Sequence, residues 1–112
     1  HAEVVVAGDC NAGPDSPVVR AVAGDPIEEV RRNLPGALHS VTAGVPADRR
    51  FTFLWRGRRE LLDHVLVSKG LWSRFQETRI LNEVLYDPES CLRERSREGA
   101  ESDHAAILAL FR

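Results

Sequence analysis

At 112 residues, with 43% hydrophobic and 29% charged residues, the chain has the make-up of one ordinary globular domain at most. No apolar run approaches the ~20 residues a membrane-crossing helix needs, and a formal net charge of −2 offers no overall positive field for holding a polyanion. A chain this short buries only about two-thirds of the surface its unfolded form exposes, so its core is thin.

The first segment, Glu3-Val4-Val5-Val6-Ala7, is β-branched and reads as a buried strand ending at Gly8-Asp9. A start directly on a strand leads us to expect that residues of the same fold precede His1, with His1 itself a tag remnant. Asp15-Ser16-Pro17 supplies a cap and a proline at the first helical position for a short helix, Pro17 to Ala23, closed by Gly24. Asp25-Pro26-Ile27-Glu28 is a capping box for a second helix with Ile27, Val30 and Leu34 on one stripe, ended by Pro35-Gly36. A polar, turn-rich linker then runs to Asp48.

Alternation in Phe51-Thr52-Phe53-Leu54-Trp55 predicts a strand, and Gly57 a turn into a second strand from Glu60 to Val67, forming a hairpin. Thr78 to Leu81 reads as a further strand, Asp87-Pro88-Glu89 as a helix start, and Ala105 to Phe111 as a last apolar strand. Strands outnumber helices and are joined mostly by short links, which places the chain in the α+β class with a mainly antiparallel sheet.

All but one of the fifteen basic residues are Arg, clustered at Arg49, Arg50, Arg56, Arg58 and Arg59 and at Arg93, Arg95 and Arg97. The guanidinium fork suits phosphate, although a solvated basic face is the plainer account. Cys10 and Cys91 have neither metal-ligand spacing nor a disulfide framework and read as free thiols. No segment has the order of a secretory signal, which a mature chain would lack in any case, so the compartment stays open.

Chemistry concentrates in three short acidic motifs. Gly8-Asp9-Cys10-Asn11 follows the first strand, where side chains leaving a sheet converge on ligands, but Asp and Asn also favour turns for local reasons. In Leu61-Leu62-Asp63-His64-Val65-Leu66-Val67-Ser68 an acid lies inside an apolar strand, where an ionised carboxylate is costly without a partner. A period of two puts Asp63, Val65 and Val67 on one face and His64, Leu66 and Ser68 on the other, which leaves His64 as a satisfied or exposed structural histidine. Ser102-Asp103-His104 precedes the last strand, and His104 is a natural partner for Asp63. An aspartate accepting from one ring nitrogen fixes the tautomer and frees the other nitrogen for a phosphate oxygen.

Taken in order, Gly8-Asp9-Cys10-Asn11, the strand with Asp63 and the Ser102-Asp103-His104 motif resemble the endonuclease/exonuclease/phosphatase family, as does Phe51-Thr52-Phe53 before the buried aspartate. The resemblance implies half of a four-layer αββα sandwich with helices on one face, residues 1–112 forming the C-terminal half. It implies that Asp9 orients or deprotonates the attacking water, Asn11 binds phosphate, Asp103 helps hold a divalent metal, and Asp63 pairs with His104, which touches the phosphate. An oxygen-rich ligand set suits Mg²⁺ or Mn²⁺. This chain has Cys10 where the family has an aromatic residue, and it lacks the metal-binding glutamate, early asparagine and further phosphate ligand that the first half supplies. The expected partners are that missing N-terminal half or a second copy of the chain, and a phosphate ester, nucleic acid included. The rival expectation is a noncatalytic interaction module that kept the half-fold. A small nucleic-acid-binding domain is a weaker reading, given the negative charge and few aromatics.

Overall fold

A computed structural model describes residues 2–24, 36–83, 85 and 102–112. In chain order these residues form β1 (Val5–Asp9), α1 (Pro17–Ala23), β2 (His39–Ser40), a 3₁₀ turn (Ala47–Arg49), β3 (Phe53–Trp55), β4 (Arg58–Glu60), β5 (Asp63–Val67), the single helical turn α2 (Lys69–Trp72), β6 (Phe75–Ile80) and β7 (Ile107–Phe111). Every strand pairing is antiparallel, in a three-stranded sheet of order β1-β5-β2 and two ribbons, β3-β4 and β6-β7. The result is a small α+β domain, as the strand-rich sequence implies. Among the described residues no helix is long and apolar enough to cross a membrane.

The short helix forms where its caps place it. The Ser16 hydroxyl accepts from the Val19 N–H at 3.3 Å, Pro17 opens the first turn, and Gly24 closes the last at φ 97° with its N–H on the Arg20 carbonyl. That left-handed cap favours glycine. Val19 and Ala23, four apart, are the helix's buried residues. The second expected helix, from Asp25 to Leu34, and the helix start at Asp87 lie outside the described residues.

The hairpin forms, but with shorter arms than the sequence pattern suggests. Arg56 (φ 49°) and Gly57 (φ 75°) both take positive φ between the facing pair Trp55 and Arg58, the signature of a two-residue turn matched to strand twist. The return arm stops at Glu60, and the chain then crosses to the other sheet as β5. Leu61 and Leu62 decide this corner: two consecutive leucines, 6% and 9% exposed, cannot both be buried on one face of an alternating strand.

Other boundaries shift for comparable reasons. β2 is only two residues long, recruited onto the edge of β5 opposite Leu66 and Val67, and its sequence carries no strand pattern of its own. β6 begins at Phe75 rather than Thr78, with an irregularity between Phe75 and Glu77, because Phe75 pairs with Phe111. The last strand starts at Ile107, two residues later than Ala105.

β5 separates two environments. On the face of Val65 and Val67 it packs with Val41, Leu71, Trp72, Phe75, Ile107, Ala109 and Phe111, and both Val41 and Val67 are fully buried. A smaller cluster of Val45, Leu61, Ile80 and Ala105 lies under the corner. β1 corrects an expectation: it reads as a buried strand, yet Val4, Val5 and Val6 are 40%, 55% and 40% exposed. It is an edge strand of its sheet, so among the described residues only β5 lies beside it.

Candidate active site

The end of the β1–β5 pair carries two acids directly opposite one another. Register pairs Asp9 with Asp63. The Cys10 N–H donates to the Leu62 carbonyl at 2.9 Å, which makes Asp9–Asp63 a pair without mutual ladder bonds, the kind in which side chains stand closest. Two facing carboxylates repel each other unless positive charge or a donor comes between them.

His104 supplies it. Its Nδ1–H donates to Asp63 Oδ2 at 2.6 Å, and its Nε2 lies 3.9 Å from Asp9 Oδ2. One ligand atom from each of Asp9, Asp63 and His104 falls within 4.8 Å of the others. The hydrogen bond to Asp63 raises the His104 pKa above the ordinary 6.5, against the opposing effect of burial, and the charges of Asp63, Asp9 and Asp103 act in the same upward direction. The Phe53 ring covers the imidazole at 5.0 Å between centroids.

Asp9 is itself fixed by the loop that follows it. The Asn11 N–H donates to Asp9 Oδ1 at 2.7 Å, an Asx-type turn, and Asn11 takes φ 47°, which Asn tolerates better than most residues. One carboxylate oxygen of Asp9 is thereby tied to its own turn, while the other faces His104. The turn reading and the site reading of this tetrapeptide therefore coincide. Cys10, within this turn, is a half-buried free thiol.

His64 also belongs to this loop, from the opposite face of β5. It is buried, and its Nε2–H donates to the Ala12 carbonyl at 2.7 Å, which anchors the turn one residue beyond Asn11. Its bonded Nε2 fits the structural histidine the alternation implies, whereas its Nδ1 is buried without a hydrogen-bond partner among the described residues. Of the expected site residues, Asp9, Asp63 and His104 come together, Asn11 bonds to Asp9 through its backbone, and Asp103 is exposed beside His104 without joining the three-residue cluster.

Sequence reasoning did not assign work to Thr52 or Phe53, although both lie in the aromatic-Thr strand it noted. Thr52 is fully buried, and its Oγ1 accepts from the Leu62 and Asp63 N–H groups at 3.1 and 3.3 Å. The basic cluster of this region is partly absorbed by the fold. Arg50 donates to the Val45 and Ala43 carbonyls, and Arg59 donates to the Asp48 carbonyl while lying over the Phe51 ring.

The raised pKa of His104 has a consequence for stability. A group whose folded pKa exceeds its unfolded value stabilises the fold fully below the unfolded value, and that contribution is lost as pH rises through the folded one. The chain is therefore expected to resist denaturant better near about pH 6 than near about pH 9. His104→Gln should flatten that part of the profile. An equal pH dependence in the two proteins would show that His104 is not its source.

These features define a class: a small antiparallel α+β domain that brings an aspartate–histidine pair and a second aspartate together at the end of a strand pair. A sequence model of the endonuclease/exonuclease/phosphatase family matches residues 1–104, and the chain belongs to that family. No curated protein and no solved structure matches it. Family membership indicates a phosphoesterase or nuclease type of function, in a family that is typically dependent on a divalent metal.

Proposed function

We propose that residues 1–112 are the C-terminal half of a divalent-metal-dependent phosphoesterase, one half of its αββα sandwich, and that the chain is incomplete as a catalyst by itself. The observation that carries the reading is the 2.6 Å Asp63–His104 bond with Asp9 Oδ2 held 3.9 Å from the other ring nitrogen. That gap is too long for a direct hydrogen bond, and each flanking group is already fixed from behind. A phosphate oxygen meeting His104 Nε2 then lies beside a carboxylate that orients or deprotonates water.

In this reading Asp63 holds the imidazole, His104 donates to the phosphate, Asn11 adds a second phosphate contact, and Asp9 directs the water. Hydrolysis forms one bond from the water oxygen to phosphorus and breaks the ester P–O bond, the departing oxygen taking up a proton. Asp63 Oδ2 and His104 Nδ1 satisfy one another, which leaves exposed carboxylate oxygen at Asp103 for a hard cation. Asp103 would contribute one ligand to Mg²⁺ or Mn²⁺, whose chemistry when bound is neutralisation of charge on the phosphate. The remaining ligands would come from the first half of the fold.

Exposed Val4, Val5 and Val6 on β1 and Leu108 and Leu110 on β7 support a partner surface, taken up by that first half or by a second copy of the chain. The substrate is a phosphate ester, nucleic acid included. The test uses an aryl phosphodiester with Mg²⁺ or Mn²⁺. The chain alone should turn it over at least about a hundredfold more slowly than the chain joined to a first half carrying the missing ligands. Sedimentation of the chain alone should show association rising with concentration. Full turnover by the isolated chain would refute its incompleteness, and a monomer at every concentration would refute the partner surface.

A further inference from the structure

We propose that Thr52 is a positioning residue, which sets the geometry of the Asp63–His104 pair by binding both segments that carry it; the assignment rests on the reading of that pair as the working part of the site. Asp63 opens β5 and His104 lies three residues before β7, and these two strands belong to different sheets. No ladder therefore fixes the distance between them. Thr52 does so with three of its polar atoms. Its Oγ1 accepts from the N–H groups of Leu62 and Asp63, and its carbonyl accepts from the Ala105 N–H at 2.8 Å, next to His104. Its own N–H donates to the Glu60 carbonyl at 2.9 Å, which anchors Thr52 to the β3–β4 ribbon.

The position of Asp63 in the ladder explains why this contact matters. Because Asp9 and Asp63 are a pair without mutual hydrogen bonds, the Asp63 N–H points away from β1, and on that side β2 reaches only Leu66 and Val67. The Thr52 hydroxyl takes the place of the absent strand. The adjacent residue completes the arrangement, since the Phe53 ring lies over the imidazole whose partner Thr52 holds. A buried threonine with a single hydroxyl accepting two amides cannot be exchanged for an apolar residue without leaving both amides unpaired.

The test isolates the hydroxyl and reads the pair without using catalysis. Thr52→Ser and Thr52→Ala both lack the γ-methyl and differ in the acceptor. In nuclear magnetic resonance of the labelled chain, the His104 Nδ1 proton is protected from solvent by its bond to Asp63. Its exchange should remain near the parent rate in Thr52→Ser and become about tenfold faster in Thr52→Ala. Val41→Ala, a core change that touches neither member of the pair, should leave the exchange unchanged. If Thr52→Ala does not fold, Thr52→Cys replaces it, since sulfur is nearly the same shape but a weak acceptor. Equal exchange in the two members of either comparison would overturn the proposal, as would loss of protection in Thr52→Ser equal to that in Thr52→Ala. A complete enzyme inert toward every phosphate ester would overturn the proposed function instead, with the His104 proton still deciding the role of Thr52.

Discussion

His104→Ala in the complete enzyme is expected to lower kcat by roughly 10²–10⁴-fold, the range typical of losing a positioned proton donor at a reacting group. The side chain removed is the one placed between two carboxylates, so the substitution deletes the phosphate contact and also returns Asp9 and Asp63 to unrelieved repulsion across the strand pair. Asp63→Asn should cost nearly as much. An amide can still accept from Nδ1, but it no longer favours the imidazolium by charge, and its NH₂ group can turn toward the ring and demand the other tautomer. Because Asp63 acts through His104, the double variant should lose little more than His104→Ala alone. The decisive measurement is the cycle of kcat values for the parent, both single variants and the double variant. Loss in the double equal to the product of the two single losses would mean that the 2.6 Å bond does not couple the residues in function.

Asp9→Asn should produce the second large effect, a fall in kcat of about 10²–10³-fold with little change in KM. This substitution is chosen because Asn can keep the turn: its side-chain oxygen accepts from the Asn11 N–H as Asp9 Oδ1 does, at 2.7 Å in the parent. What disappears is the negative charge of the oxygen facing His104. The pKa of His104 should also fall, since Asp9 contributes to its elevation, and that shift can be followed by the ring-proton resonances during a pH titration. Unchanged amide resonances for Cys10 to Gly13 would establish that the loop is intact. A variant with that intact loop and parental kcat would remove Asp9 from the chemistry.

Elements with strong local causes are legible in the chain alone. Ser16-Pro17 and Gly24 fix the ends of α1 through capping that needs no distant partner, and Gly57 marks the hairpin turn, where the structure adds Arg56 as a second residue of positive φ. The sequence also determined that Asp63 requires a partner, because a carboxylate in an apolar strand cannot remain unpaired, and it pointed to His104. Alternation was enough to separate His64 from Asp63, and the structure puts these two on opposite sides of β5 as period two demands.

Features that depend on contacts between distant segments follow from packing and register. The facing of Asp9 and Asp63 follows from the register of β1 on β5, and register is a property of two strands together, which neither segment encodes alone. The exposure of β1 was hidden for the same reason: Val4-Val5-Val6 states what the strand would bury, and the sheet order states what lies beside it. The corner at Leu61-Leu62 and the four hydrogen bonds of Thr52 arise where the β3–β4 ribbon gives way to the three-stranded sheet, so their cause lies in contacts between segments rather than in either one. Local preference sets which residues turn, cap or extend, whereas the distance between an aspartate and a histidine 41 positions apart is fixed only when the buried amides between them have found their acceptors.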